Sequence, residues 1–234
     1  MKAMLLAAGR GERLRPLTDH TPKPLIEVAG KPLIVWQIER LAQAGITELV
    51  INLAHLGPLI EARLGNGQTW GVRIQYSHER EGALDTAGGL RWAQPLLGTQ
   101  PFVVANADIW TDFDFATLPT TLAGLAHLVL VPNPTHHPLG DFGVRDTQVY
   151  HPGTPAFTYA GIGLFSPALF ASISAGERAP LAPLLRQAMA ADAVSGELFT
   201  GRWIDVGTPE RWREAEVAAA NFEAPNGQKP LIDI

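Results

Sequence analysis

Among its 234 residues the chain has no cysteine, so disulfides, thiolate metal sites and a thiol nucleophile are all excluded. No apolar run approaches the ~20 residues that cross a bilayer. The apolar stretch 3–8 after Lys2 is too short for a secretory leader, and Arg10, Arg13 and Arg15 follow too soon. Together these absences set the expectation of a cytoplasmic protein with no membrane partner. A basic excess is missing as well: the net charge of −5 argues against nucleic acid as a partner. Neither G-x-S-x-G nor a Ser–His–Asp arrangement is visible, which disfavours a hydrolase working through a covalent intermediate. The two commonest glycine-rich phosphate loops are also absent. Counted from Gly9, the last glycine of G-x-G-x-x-G falls on Leu14, and no G-x-x-x-x-G-K-[S/T] occurs.

What is present is an alternation of short apolar runs and amphipathic stretches, in a chain that is 46% hydrophobic and so has ample material for a core. Strands are expected near residues 2–7, 48–53, 72–76 and 101–105, with helices near 33–44, 56–64 and 86–94. Leu33, Trp36, Ile38, Leu41 and Ala44 approximate the helical period, and Gly45 is a natural stop. Continuous apolar strands separated by helices imply a mostly parallel sheet covered on both faces. The expected class is therefore α/β, a Rossmann-like three-layer αβα sandwich. After residue 114 the pattern changes. Strands near 125–131, 141–150 and 156–165 are expected to pair antiparallel, interrupted by a Pro- and Gly-rich stretch. Helices follow at 180–191 and 208–220, the latter opened by Thr208 as cap, Pro209 in the first turn and Glu210 against the dipole. The reading is one domain over 1–220, with parts divided near 115, and a loose tail at 221–234.

In such a sheet ligands gather beyond the carboxyl ends of the strands, where Gly9, Gly82 and Asp108 all fall. Gly9 and Gly11 allow backbone N–H groups to approach phosphate oxygens, and Arg13, Arg15 and Lys23 can neutralise them. An acidic chain that binds phosphorylated ligands needs such local cations and a metal ion to offset repulsion. Asp108 ends a buried strand; it either binds a metal or caps the next turn with Asp112 and Asp114. Asp205 repeats the pattern before Gly207. Two aspartates at strand ends suit Mg²⁺, which takes its other oxygens from water and phosphate. Lys23 stands between Pro22 and Pro24, where φ is fixed and helix is excluded; it is either solvated or a preorganised cation. His136 and His137 lack a third ligand at informative spacing and read as a surface loop. Trp36, Trp92 and Trp212 read as packing anchors.

The string A-A-G-R-G-E-R-L-R-P-L-T followed by P-K-P-L resembles the signature of the sugar-1-phosphate nucleotidyltransferases. That resemblance implies a fold of the nucleotide-diphospho-sugar transferase type, with a small antiparallel sugar-binding part, and two partners, a nucleoside triphosphate and a sugar 1-phosphate. It implies that Asp108 and Asp205 hold Mg²⁺, with Asp108 also counted as catalytic. Lys23 then acts on the reacting phosphates, and Arg15 on the β- and γ-phosphates and the leaving pyrophosphate. Arg13 either joins them or pairs with an acid such as Glu12. Leu6, Ala7, Ala8, Gly9, Gly11, Glu12, Gly82, Thr86 and Gly88 would line the nucleotide, although Thr86 also suits a helix N-cap. Asn106, Asp141 and Gly161 would lie on the sugar side. There Gly140-Asp141-Phe142 replaces the E-K-P type element of many relatives, so the usual second lysine is missing. Within the family the resemblance favours UTP and a muramic acid 1-phosphate in cell-wall recycling. GTP with mannose 1-phosphate is the alternative, and a non-catalytic sugar-nucleotide-binding regulator a lower one.

Overall fold

Alternate residues of the buried strands point to opposite sides of one sheet, and this assigns the layers. The computed structural model describes residues 1–79 and 84–222. Its strands are β1 (Lys2–Leu6), β2 (Glu27–Val28), β3 (Lys31–Pro32), β4 (Glu48–Leu53), β5 (Arg73–His78), β6 (Phe102–Asn106) and β7 (Ile109–Thr111). They continue with β8 (Ala126–Val131), β9 (Gly143–Arg145), β10 (Gln148–Tyr150), β11 (Thr158–Phe165), β12 (Val194–Leu198) and β13 (Trp203–Asp205). The helices are α1 (Leu33–Gln43), α2 (Gly57–Leu64), α3 (Asp85–Trp92), α4 (Gln94–Leu97), α5 (Leu181–Ala190) and α6 (Pro209–Ala220).

Nine strands form one sheet in the order β5-β4-β1-β6-β11-β8-β12-β10-β9. The stretch from β5 to β6 is parallel. Strand β11 runs antiparallel to both β6 and β8, and β12 returns parallel to β8. The antiparallel part is thus a continuation of the same sheet. Ala3 and Leu5 of β1, Val103 and Ala105 of β6, and Val129 and Val131 of β8 pack with α1 and α2 on one face. Met4, Phe102, Val104, Leu128 and Leu130 face the other side, against α3 and α5. This is the expected three-layer sandwich. Each such leucine or phenylalanine removed from water contributes about 2 kcal/mol. Among the described residues no helix is long and apolar enough to cross a membrane.

Local differences from the sequence reading have identifiable causes. Strand β5 runs to His78, beyond residue 76, because it pairs residue for residue with β4 from Glu48↔Arg73 to Leu53↔His78. The stretch 141–150 divides into a hairpin, β9 and β10, turning at Asp146, whose φ of 54° a short polar side chain tolerates. Thr86 is not a cap: α3 begins one residue earlier, and the Ala179 carbonyl accepts from Ala87 N and Gly88 N at 3.0 and 3.1 Å. Lys23–Leu25 does form a helical turn, a short 3₁₀ segment, since Pro24 lies in its first turn where no N–H is needed. Thr208 caps α6 as expected, accepting from Arg211 N at 3.4 Å. Helix α6 packs on a separate cluster of Ile26, Val28, Leu33, Trp110, Ile204 and Val206, with Trp36 and Trp212 at its margin. That cluster fixes β13 beside β7.

Candidate active site

Strands β1, β4, β5 and β6 are parallel, so the residues following them share one rim. The first segment on that rim is the turn after β1. Ala7 N donates to Asn52 Oδ1 at 2.8 Å, Asn52 Nδ2 to Glu79 Oε1 at 2.7 Å, and Leu84 N to Glu79 Oε2 at 2.7 Å. This network anchors the turn to the start of α3. Burial pushes the Glu79 carboxyl above its ordinary value, while its two hydrogen bonds pull the other way. A Cβ on Gly89 would stand 2.7 Å from Glu79 Oε1. Asn52 and Glu79 escaped the sequence reading, although Asn52 is the one polar residue in the apolar run 49–53. Gly82 lies outside the described residues. Thr86 is half-buried, and Gly88 packs on the backbone of Glu177 and Ala179, which accounts for its lack of a side chain.

Past Ala7, the N–H groups of Ala8, Gly9 and Gly11 have no partner among the described residues. Gly11 has φ 65°, and a Cβ there would stand 2.9 Å from both Lys23 Cβ and Thr18 Cγ2. Thr18 Oγ1 donates to Gly11 O at 2.9 Å and closes the turn. The glycine-rich loop is therefore packed directly on the lysine of the second signature segment.

Lys23 is nearly enclosed, its side chain 8% exposed. Its Nζ pairs with Asp108 Oδ2 and lies 3.9 Å from Asp205 Oδ1. The pairing of β13 with β7 sets Asp205 opposite Ile109, and Val206 N donates to Asp108 O at 3.1 Å. Two aspartates 97 positions apart thereby converge on one ammonium group. The capping role belongs to Asp114, whose Oδ1 accepts from Ala116 N at 2.9 Å, while Asp112 Oδ1 accepts from the distant Arg202 N at 2.7 Å. Both carboxylates already share a cation and offer hard oxygen donors. That fits Mg²⁺, which needs one or two carboxylates and takes its remaining ligands from phosphate and water. No cluster of three or more His, Asp or Glu side chains suited to a metal exists among the described residues.

Both arginines after the loop are exposed, and it is Arg13 that reaches toward Gly207. Its Nη2 would lie 3.2 Å from a Cβ on Gly207, beside Arg211. It makes no ion pair with Glu12 among the described residues. Arg15 instead turns outward, 60% exposed, and pairs with Asp19 at 3.3 Å. The 3₁₀ turn Glu12–Leu14 separates them by burying Leu14 between.

His136 and Arg211 are residues the sequence reading missed here. Arg211 Nη1 donates to Asp205 Oδ2 at 2.7 Å and to His136 Nε2 at 2.5 Å, and His136 Nε2 lies 3.7 Å from Asp205 Oδ2. His136 and His137 do lie on a surface loop, as expected, and from it His136 reaches Asp205. Burial and the neighbouring Arg211 guanidinium hold the His136 imidazole below its ordinary value, and because a guanidinium can only donate, His136 Nε2 is the acceptor. His137 Nε2 lies 3.1 Å from Asp141 Oδ1, and Asp141 Oδ2 accepts from Tyr159 N at 2.9 Å. Both oxygens of Asp141 are thus engaged in tying this loop to β11.

Strand β11 shifts register between Tyr159 and Gly163, and inside this irregularity Gly161 has φ 72°. A Cβ on Gly161 would meet Asn106 Nδ2 at 2.5 Å. Gly161→Ala is expected to cost about 1–3 kcal/mol through backbone strain. It should also push Asn106 aside, raising KM for the sugar phosphate more than KM for the nucleotide. A thermal melt with two-substrate kinetics checks both; an unchanged sugar KM would remove Gly161 and Asn106 from the sugar side.

The family model for nucleotidyl transferases matches residues 2–221. An N-acetylmuramate alpha-1-phosphate uridylyltransferase from Neisseria meningitidis serogroup B is 53% identical, the match covering 95% of this chain and all of that protein. One of the same name from Caulobacter vibrioides is 35% identical over 93% and 96% of the two chains. Mannose-1-phosphate guanyltransferase beta-A of Xenopus laevis is 30% identical over 90% of this chain and 62% of its own. Among solved structures, a Bacillus anthracis protein described as a glucose-1-phosphate thymidylyltransferase in complex with a sucrose shares the fold. It aligns with a TM-score of 0.83 at 22% identity, covering 97% and 98% of the two chains. By these matches and by the signature residues its fold brings together, the chain belongs to the nucleotidyl transferase family.

Proposed function

We propose that the protein joins UTP to N-acetylmuramic acid α-1-phosphate, releasing pyrophosphate and UDP-N-acetylmuramic acid, in the cytoplasm as part of cell-wall recycling. The observation that carries the chemistry is the position of Lys23 between Asp108 and Asp205, packed against Gly11 of the glycine-rich loop. The near full-length similarity to proteins named for that reaction supports the choice of substrates.

In this reading a sugar-phosphate oxygen attacks the α-phosphorus, a new P–O bond forms, and the bond to the β-phosphate breaks. The reaction brings two anions together, so alignment and charge neutralisation carry the catalysis. The N–H groups of Ala8, Gly9 and Gly11, unpartnered among the described residues, bind phosphate oxygens. Lys23 neutralises charge that develops on the reacting phosphoryl group, and Arg13 takes the β- and γ-phosphates. Asp108 and Asp205 are the residues that would hold Mg²⁺, which when bound would supply Lewis-acid charge to the phosphates. The turn at Leu6–Ala8, held by Asn52 and Glu79, supports the base side. Gly161 and Asn106 shape the sugar side.

The alternative of GTP and mannose 1-phosphate draws on the Xenopus relative, at lower identity. Pyrophosphate release from four nucleoside triphosphates crossed with N-acetylmuramic acid, N-acetylglucosamine and mannose 1-phosphates separates the readings. UTP with the muramic substrate is expected to give the highest kcat/KM. A maximum at GTP with mannose 1-phosphate would overturn the assignment, and no pyrophosphate from any pair would favour a regulator.

A further inference from the structure

We propose that Arg211, steadied by His136, reads the carboxylate of an acidic sugar 1-phosphate and so sets the specificity of this site for muramic over neutral amino sugars. The proposal rests on the muramic reading above.

Arg211 lies outside both signature segments and stands on α6, yet its side chain is only 11% exposed and lies within the site. One nitrogen, Nη1, serves both Asp205 and His136. Its Nε and Nη2 make no hydrogen bond among the described residues. Neither nitrogen is among the buried polar atoms left without a partner, so this edge is open to solvent and to a ligand. The Nε–Nη2 edge is the one that grips a carboxylate through two parallel bonds, a geometry lysine cannot match.

Gly207 allows this arrangement: a Cβ there would strike Arg211 Nη2 and crowd Arg13 Nη2. Two guanidinium groups side by side call for anions beyond Asp205. The triphosphate answers Arg13 and Lys23, and Arg211 is left for a further negative charge. Adjacent histidines then tie this cation to the sugar side. His136 accepts from Arg211, while His137 reaches Asp141, which holds β11 at Tyr159, two residues from Gly161. Arg211 therefore stands between the paired carboxylates and the loop that builds the sugar side.

The test compares N-acetylmuramic acid α-1-phosphate with its lactyl carboxamide, which differs only in that charge. With saturating UTP, kcat/KM for each is measured by pyrophosphate release in the wild type, Arg211→Gln, Arg211→Lys and His136→Ala. The wild type should prefer the acid by about ten- to a hundredfold, the range of a charge-assisted pair. Arg211→Gln should bring that ratio close to one, with the change in KM for the acid; Arg211→Lys and His136→Ala should give intermediate ratios. The ratio within each variant is independent of how much of it folds. A wild-type ratio near one, or an Arg211→Gln ratio equal to the wild type, would overturn the proposal; the latter would assign Arg211 to the shared phosphate. If the wild type used neither muramic compound but did use mannose 1-phosphate, the functional reading would fall with it. Turnover of the acid with the ratio unmoved by Arg211→Gln would overturn only the role of Arg211.

Discussion

Lys23→Ala is expected to lower kcat by about a hundred- to a thousandfold, the loss of about 3–4 kcal/mol that follows removal of one donor from a developing charge. Lys23 is placed for this by both neighbours: Gly11 presses on its Cβ, and the turn at Lys23–Leu25 fixes its backbone. Asp108 and Asp205, 31% and 26% exposed, retain contact with water when the ammonium is removed. The stability cost should therefore be moderate, about 1–3 kcal/mol. Stopped-flow or steady-state pyrophosphate release with a parallel thermal melt checks both parts. A fall in kcat below tenfold in a folded variant would take Lys23 out of the chemical step.

The second large effect is expected from the carboxylates. Asp108→Asn and Asp205→Asn each preserve shape, replace one carboxylate oxygen with an amide nitrogen and remove one negative charge. Each should cut kcat/KM by at least about a hundredfold at fixed Mg²⁺, the scale of one lost electrostatic partner. The two are not equivalent. Asp108 gives up only its pairing with Lys23, whereas Asp205 also holds Arg211 at 2.7 Å and stands 3.7 Å from His136. Asp205→Asn should therefore add a weaker preference for the acidic sugar, and Asp108→Asn should not. Kinetics across a Mg²⁺ series reads both effects, and a variant with a wild-type Mg²⁺ response would be removed from the site.

Much of this was legible in the sequence because the relevant signals are local. Continuous apolar runs separated by amphipathic stretches gave the strands and a sheet covered on both faces, and Gly11, Lys23, Asp108 and Asp205 sit in short segments, the two aspartates assigned to a metal by the family resemblance. What was not legible depends on elements meeting in space. His136 and Arg211 are 75 positions apart and touch only because the loop after β8 crosses the start of α6. Arg13 and Arg15 differ by two positions, and the 3₁₀ turn that buries Leu14 sends one toward Gly207 and the other to Asp19. Asn52 and Glu79 act through a network that joins β4, β5 and α3. Asp141 was read for the sugar side, and its bonds to His137 and to Tyr159 N were not legible in the sequence.

The central claim, that two remote aspartates jointly hold one metal-bound triphosphate, is tested most directly by Mn²⁺ titration with electron paramagnetic resonance in the presence of UTP. The wild type should show tightly held Mn²⁺, and both Asp108→Asn and Asp205→Asn should weaken it at least tenfold. Wild-type Mn²⁺ affinity in a folded Asp205→Asn variant would contradict the claim.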